Sequence, residues 1–365
     1  MIISVLAAIA IAPQGSLFAR AFPNPTGDNA WEEYYRAFDV VAQLAVEPSL
    51  IAQNTLAFDK EIYERFGAAC NLVRSGNTKR MSQAPKAGLE FMLDTMYERI
   101  ARVFVAEARI RVAESKPSQT ANSIATLLKF SQRLPIANLS DTLRSTTVEG
   151  RAWYALDFAL HKLSFGGARE LTDVITGILE SPPPFLRAAL ESSRLYRELA
   201  VNALRNKSSL DDMDSSVPKE LLAAGPADVD RYVSEVLQLI DQSDRETREM
   251  FAREERFWKP IEPKTDDPVL LFALRGHGMR FTMFAVLSRT RLRLAKLHCQ
   301  IIEFKRTHNR WPEKLEELGG REVWYDPASG SPFYYARLTE QSYTLYSLGT
   351  SESGRIDLIN RWQPK

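Results

Sequence analysis

The chain has 365 residues, 45% of them hydrophobic and 25% charged, which is the composition of an ordinary globular protein. Its 47 basic and 46 acidic residues leave a net charge of +1, so the overall charge gives no reason to expect a nucleic-acid partner. These values exclude a disordered chain, a collagen-like repeat and a polytopic membrane protein. At roughly 100–200 residues per domain, the length predicts two or three domains, or one large one.

An uninterrupted apolar run, residues 2–12, lies near the start of the chain. It is too short to span a bilayer, which takes about 20 apolar residues, and it fits the apolar core of a signal peptide. Small-residue cleavage patterns end at Ala12 and Ala19, and Pro13 disfavours the first of them. We therefore expect residues 1–19 to be a signal peptide or a short membrane anchor. The protein would then be exported: periplasmic, anchored in the inner membrane, or extracellular. A buried N-terminal helix or strand is the alternative.

The body of the chain carries apolar side chains at the three- and four-residue spacing of amphipathic helices. The predicted helices cover residues 31–47, 49–74, 86–115, 119–133, 150–163, 168–181, 184–206, 226–257 and, as a long helix, about 281–308. Gly76 is expected to close the second of them, because glycine is common just beyond a helix C-terminus. We predict a mainly α fold: a multi-helix body of antiparallel helical hairpins, with a small C-terminal β-meander packed on the long helix.

Two segments interrupt the helical pattern. Residues 206–217 are polar and rich in Ser and Asp, and residues 259–268 hold three prolines. We predict a helical domain over residues 20–268, followed by a second unit over 269–365 that contains the long helix and the β-meander.

Few residues offer catalytic or metal-binding chemistry. The two cysteines, Cys70 and Cys299, form no CxxC pair, and the four histidines form no HExxH pattern, which argues against zinc sites and thiol redox chemistry. We expect buried free thiols, with a disulfide as the alternative in an exported protein. Asp157 and His161 lie four positions apart on a predicted helix, where a carboxylate can orient an imidazole. No nucleophile motif accompanies them, so a surface pair or a core histidine is the simpler interpretation.

Three further motifs have structural interpretations. Glu254 and Glu255 are adjacent, so on a helix their side chains point about 100° apart and share no site. The segment 275–278, Arg-Gly-His-Gly, lacks the Lys-Ser that completes a phosphate-binding loop and is expected to bend the chain. Residues 275–310 hold nine basic residues and one acidic residue. We expect this segment to pack beside the acidic helix 226–257; anionic lipid and nucleic acid are the alternative partners.

The C-terminal region shows an ordered series of motifs. Behind the long helix come Trp311-Pro312, the turn Asp326-Pro327-Ala328-Ser329-Gly330-Ser331-Pro332, the strand end Ser347-Leu348-Gly349, and Ile356-Asp357 near Trp362. Two runs of alternating residues flank Thr339-Glu340 and predict a β-hairpin. This order resembles the C-terminal half of the major pseudopilin of type II secretion systems, over residues 281–365. The whole chain also resembles bacterial envelope proteins that carry this module behind a helical body.

The chain departs from that family in two ways. About 270 residues precede the helix and no prepilin-peptidase site is visible, so polymerisation as a pilus subunit is not expected. The family binds calcium through acidic side chains in the loop after Ser-Leu-Gly. The resemblance makes Ser351, Ser353 and Asp357 candidate calcium ligands here, with a single carboxylate among them. No other metal and no cofactor are predicted.

The leading function is that of a non-catalytic exported or envelope protein that acts by contact with a partner protein, near a secretion or pilus-like assembly. It would meet a membrane only through its N-terminal segment. Six aromatic residues could form that contact or the core of a small domain: Trp311, Trp324, Tyr325, Phe333, Tyr334 and Tyr335. The alternatives are an exported hydrolase, which a pocket around His161 would favour, and a cytosolic helical scaffold, which a folded segment 1–19 would favour.

Overall fold

A computed structural model describes residues 16–44, 55–81, 90–134, 139–181, 185–206, 217–253, 261, 264–274, 279–340 and 342–349. The described helices are α1 (Leu17–Ala21), α2 (Ala30–Val41), α3 (Leu56–Phe66), α4 (Ala68–Thr78), α5 (Glu90–Ala113), α6 (Pro117–Arg133), α7 (Leu139–Ala159), α8 (Phe165–Glu180), α9 (Phe185–Arg205), α10 (Lys219–Ala223), α11 (Pro226–Ala252), α12 (Pro268–Ala273), α13 (Met279–His308) and α14 (Arg321–Trp324). The strands are β1 (Tyr325–Asp326), β2 (Ser331–Pro332), β3 (Tyr334–Arg337) and β4 (Tyr343–Tyr346). The predicted mainly α class with a small C-terminal strand region is confirmed.

Polar caps and prolines mark where helices begin. The side chains of Asn29, Thr55 and Ser164 accept hydrogen bonds from backbone N–H groups in the first turns of α2, α3 and α8. Pro117 and Pro226 occupy the first positions of α6 and α11, where the missing N–H costs nothing.

The main core lies among α1–α8 and is completed by α13 and the C-terminal hairpin. The predicted apolar face of α2 is buried there, with Tyr34, Phe38 and Val41 fully covered. Aromatic rings around this face pack mostly edge to face, with centroids 5.0–6.3 Å apart. The rings belong to Trp31, Tyr34, Tyr35, Phe38, Tyr97 and Phe130.

A second, smaller core lies among α9–α12. It includes Leu204 of α9, Val236 and Ile240 of α11, and Leu270 of α12. The main core uses residues up to Ile175 and then residues from Leu292 onward, so in sequence the second core lies between the two parts of the first.

Two glycines give the α3–α4 region a different shape from the predicted one. The single helix expected over 49–74 is two helices, α3 and α4, which meet at Gly67. At this junction a Cβ would lie 2.5 Å from the carbonyl oxygen of Tyr63, so the bend suits a residue that has none. Gly76 does not end a helix, and α4 continues to Thr78. A Cβ at Gly76 would lie 2.5 Å from the ring of Tyr34, so this glycine makes room for an aromatic core residue.

Residues 16–21 form a short folded segment on α2. Leu17 is buried in the main core. The Asp39 carboxylate accepts hydrogen bonds from the Ser16 hydroxyl and from the backbone N–H groups of Leu17, at 2.6 Å, and Phe18, at 3.2 Å. The cleavage pattern ending at Ala19 therefore lies inside a packed helix, and a mature chain that began at residue 20 would lack these contacts.

Replacing Leu17 with Ala is expected to lower the free energy of unfolding by about 2 kcal/mol, because it removes buried apolar surface and leaves a cavity. This value is at the low end for a Leu-to-Ala change, since a helix of five residues can shift to close the space. Urea denaturation of the full chain measures the change. Phe18→Ala is the control, because Phe18 is only partly buried against the core. An equal loss of unfolding free energy in Leu17→Ala and Phe18→Ala would contradict the prediction that the buried Leu17 contributes more to stability than Phe18 does.

The basic segment 275–310 is described from residue 279, and α13 packs mainly against α7 and α8. It meets the acidic α11 at the C-terminal end of that helix, where Met250 joins Ala285 and Val286. Among the described residues, the predicted packing against the acidic helix is thus seen at one end, while α7 and α8 pack along α13.

Arginines close several helix C-termini, where carbonyl oxygens lack partners within the helix. The donor–acceptor pairs are Arg99 with the carbonyls of Val41 and Ala42, Arg133 with those of Gly76 and Lys79, Arg289 with those of Ile178 and Ser181, and Arg306 with that of Leu163. Part of the positive charge of α13 therefore serves contacts within the molecule.

The strands form two separate antiparallel hairpins, β1–β2 and β3–β4, in place of the predicted single meander. Pro332 ends β2 because it has no N–H to continue a ladder, and the buried Phe333 separates the two sheets. The larger hairpin pairs Tyr334 with Tyr346 and Arg337 with Tyr343, around the turn that the sequence predicts.

No described helix contains a stretch that is long and apolar enough to cross a lipid bilayer.

Candidate functional site

The residues predicted to bind calcium, Ser351, Ser353 and Asp357, lie outside the described residues. The same holds for Glu254 and Glu255 and for the segment 275–278. Within the described part of the chain, no group of three His, Cys, Asp or Glu side chains is arranged to hold a metal ion.

Asp157 and His161 do not form a buried site. Both side chains are exposed, Asp157 near the end of α7 and His161 in a short 3₁₀ helix that follows it. Neither residue lines the groove described below. A hydrolase centred on His161 thus finds no support in this region.

Both cysteines are free and buried, as expected. Cys70 lies in α4 and Cys299 in α13, and burial raises the pKa of both thiols well above the ordinary range. A buried thiol that stays protonated is a poor nucleophile and a poor metal ligand. These two residues therefore contribute packing to the main core.

A groove of about 540 Å³ lies between α6 and α8, with α13 contributing to its lining. This volume is within the range of small-molecule sites, about 300–1,000 Å³. Two charged side chains stand in it, Lys129 on α6 and Asp173 on α8. Val174 and Ile178 add apolar surface to the α8 wall. The groove thus combines both signs of charge with an apolar wall.

A buried carboxyl group lies behind this groove. Glu149 of α7 is fully buried and accepts hydrogen bonds from the Ser288 hydroxyl, at 2.6 Å, and from the amide of Gln132, at 3.2 Å. Both bonds reach its Oε2, and Oε1 has no partner among the described residues. Burial raises the pKa of Glu149 to about 7, against lowering effects from Ser288 and from the charges of Arg291 and Arg289.

Gln132 links this carboxyl group to the groove, because its side chain both lines the groove and donates to Glu149. Arg289 lines the same groove, and its guanidinium donates to the carbonyls of Ile178, at 3.1 Å, and Ser181, at 2.9 Å. It therefore adds a fixed positive charge that holds the end of α8 in place. With a pKa near neutrality, Glu149 can change its protonation state under physiological conditions while its bond to Gln132 connects it to the groove.

The C-terminal motifs are brought together by one buried aspartate. Asp326 accepts a hydrogen bond from the backbone of Ala328, at 2.9 Å, and another from the hydroxyl of Ser347, at 2.7 Å. Gly330 and Gly349 both have positive φ, as the turns in these two motifs require. The Asp-Pro turn and the Ser-Leu-Gly strand end therefore form one fixed unit.

The larger hairpin is attached to α13 through its inner face. Tyr343 and Leu345 are fully buried, and the Tyr343 hydroxyl lies 2.9 Å from Nδ1 of the buried His298. Burial lowers the pKa of His298 to about 3, so the imidazole is neutral in the folded protein. Of the six aromatic residues considered for partner contact, Tyr334 is the one with a largely exposed side chain.

The outer face of the larger hairpin carries no charged residue. By the alternation of β-strands, this face includes Tyr334, Ala336, Thr344 and Tyr346, and we add the exposed Leu338 and Leu348, which lie just beyond the ends of β3 and β4. The rings of Tyr334 and Tyr346 are stacked with centroids 4.5 Å apart. Leu338 and Leu348 have 49% and 56% of their surface exposed, so the apolar side chains extend beyond the stacked pair. We call these six residues the outer hairpin face.

Sequence reasoning missed the groove and its buried carboxyl group. One signal for Glu149 is visible in retrospect: it falls in the repeat of inner positions on α7, between Ser145 and Ala152 and Leu156, all of which are buried. For Lys129 and Asp173 no such signal exists, because they lie on different helices and only the packing of α6 against α8 brings them to one groove.

Comparison with known proteins gives no match: no protein-family model, no curated protein and no solved structure matches this chain.

Proposed function

We propose that this protein is exported or held at the bacterial envelope and acts by contact with another protein, through the outer hairpin face. In keeping with the pseudopilin resemblance of residues 281–365, the partner would belong to a secretion or pilus-like assembly. The export part of the proposal rests on the apolar run at residues 2–12.

The observation that carries the contact proposal is the chemistry of the outer hairpin face. Antiparallel sheets with one face on a core usually present polar side chains to solvent on the other. Here the solvent side presents two tyrosines and two leucines. Tyrosine is enriched at protein–protein interfaces, and contiguous exposed apolar surface is typical of contact sites.

A photo-crosslinking amino acid at position 334 of the full chain, expressed in the native host, tests this contact. We expect a discrete adduct with one protein of a secretion or pilus-like assembly. Position 154 is the matched control, because Tyr154 has 42% of its surface exposed and Tyr334 has 43%. Thr344→Lys, which places a charge on the same face, is expected to abolish the adduct.

Two outcomes would overturn the contact proposal. Equal adducts from positions 334 and 154 would show that the hairpin face has no specificity. An adduct within the chain, to residues 350–365, would show that the chain itself covers this face.

A cytosolic helical scaffold is the second candidate, and one observation favours it: residues 16–21 are folded against α2. Fractionation of the host with mass spectrometry of the native N-terminus separates the two functions. An exported chain that begins between Pro13 and Ser16 would support export with α1 retained. An intact cytoplasmic chain that begins at Met1 would support the scaffold and overturn the export part of the proposal.

A further inference from the structure

We propose that the groove between α6 and α8 binds a small zwitterion with an apolar side chain, an α-amino acid or a short peptide, at a site separate from the outer hairpin face.

The first argument is the placement of charge on the two walls. Lys129 on α6 and Asp173 on α8 are both exposed and both line the groove. Neither makes a hydrogen bond or an ion pair with any described residue, although their helices pack against each other. Among the described residues, the groove therefore holds a cation and an anion that do not neutralise each other. A ligand that carries a carboxylate and an ammonium group can pair with both.

The second argument is the room left by a glycine. Gly177 follows Asp173 by one helical turn, and a Cβ built on it would meet no atom within 4 Å. Val174 and Ile178 lie on the same wall, which gives an apolar side chain of a ligand a surface to cover. The groove, at about 540 Å³, is large enough for either an amino acid or a dipeptide.

The third argument is the polar base of the groove. Gln132 is held by its bond to the buried Glu149, whose second carboxyl oxygen has no partner among the described residues. Arg289 contributes a second positive charge, fixed by its bonds to the end of α8. The amide nitrogen of Gln132 already donates to Glu149 and Ser131, which leaves its oxygen as an acceptor. The two cations favour the carboxylate of a ligand, while Asp173 and the amide oxygen of Gln132 favour its ammonium group.

Isothermal titration calorimetry of the full chain with four probes tests the charge requirement. L-leucine and leucyl-leucine carry both charges, 4-methylpentanoate lacks the ammonium group, and 3-methylbutylamine lacks the carboxylate. We expect at least one zwitterion to bind, and to bind about tenfold or more tightly than either singly charged probe. The stronger of the two zwitterions identifies whether an amino acid or a peptide is the preferred ligand.

Variants test the location of binding. Lys129→Gln and Asp173→Asn are each expected to weaken the affinity about fivefold or more, because each removes a charge-assisted hydrogen bond. Lys162→Gln and Asp28→Asn are matched controls, since both side chains are exposed and lie outside the groove. Equal losses of affinity in the groove variants and in the control variants would overturn the proposed location of the site.

Gly177→Leu fills the groove without displacing any atom near Cβ, and leucine favours a helix more than glycine does. We expect this variant to lose binding while its melting temperature is at least that of the original chain. Gly166→Leu is the control, because Gly166 also lies on α8 with open space at Cβ and does not line the groove. Retained binding in Gly177→Leu, equal binding of the singly charged probes, or no binding of either zwitterion up to about 10 mM would overturn the proposal.

Discussion

Replacing Glu149 with Gln is expected to raise the free energy of unfolding by about 3 kcal/mol at pH 8 and to leave it nearly unchanged at pH 4. Burial raises the pKa of Glu149 from its usual 4.5 to about 7 in the folded protein. The folded chain therefore holds this proton more tightly than the unfolded chain does, and stability is lost as the pH rises from 4.5 through 7. Glutamine keeps an acceptor oxygen for Ser288 and never ionises, so it removes that loss.

Urea denaturation of both proteins between pH 3 and 8 measures this difference. His298 supplies an internal reference, because burial lowers its pKa from 6.5 to about 3. Its effect has the opposite sign: stability is lost as the pH falls from 6.5 through 3, and this acid limb should be unchanged in Glu149→Gln. Stability curves that run parallel above pH 5 would contradict the assignment to Glu149.

Replacing Glu107 with Ala is expected to lower the free energy of unfolding by about 3 kcal/mol, because it leaves a partly buried cation and two hydroxyl groups without this buried acceptor. Glu107 of α5 is 3% exposed. It accepts hydrogen bonds from Arg74, at 2.5 Å, and from the hydroxyls of Tyr63 and Ser123, each at 2.9 Å. These donors come from α3, α4 and α6, so one carboxylate connects four helices.

Glu114 provides the matched control for this prediction. It is a glutamate at the end of α5, where it pairs with Arg111 and Lys116 at the surface. Solvent screens these ion pairs, so Glu114→Ala should leave the urea midpoint unchanged. A similar loss of stability in both variants would show that the buried network around Glu107 contributes no more than a surface ion pair.

Local pattern was enough to predict most of the longer helices and the larger hairpin, although α7 begins at Leu139 and the helix expected over 49–74 is two helices. On α2 the spacing of Tyr34, Phe38 and Val41 identified the face that the structure buries. At the C-terminus, alternation around Thr339-Glu340 placed the turn between β3 and β4. Both predictions depend on periodicity within one element, which packing partners do not alter.

Features that depend on the packing of two elements against each other could not be predicted from the sequence. Gly76 was predicted to end a helix, but it lies inside α4, where the absence of a Cβ leaves room for the ring of Tyr34 from α2. The partners of Glu149 could not be predicted: its place among the inner positions of α7 is a signal of burial, but nothing in that helix shows that Gln132 and Ser288 would arrive from α6 and α13. The groove could not be predicted for the same reason, because its opposite charges lie on separate helices.

In the sequence, the second core lies between the two parts of the main core. This order affects how the chain folds while it is being made on the ribosome. About a hundred residues separate the end of α8 from the start of α13, whose side chains complete the main core. When α8 leaves the exit tunnel, the surfaces of α7 and α8 that α13 later covers have no partner yet. At about 5–20 residues per second, the growing chain keeps them open for several seconds, the period in which a newly made chain most needs protection from aggregation.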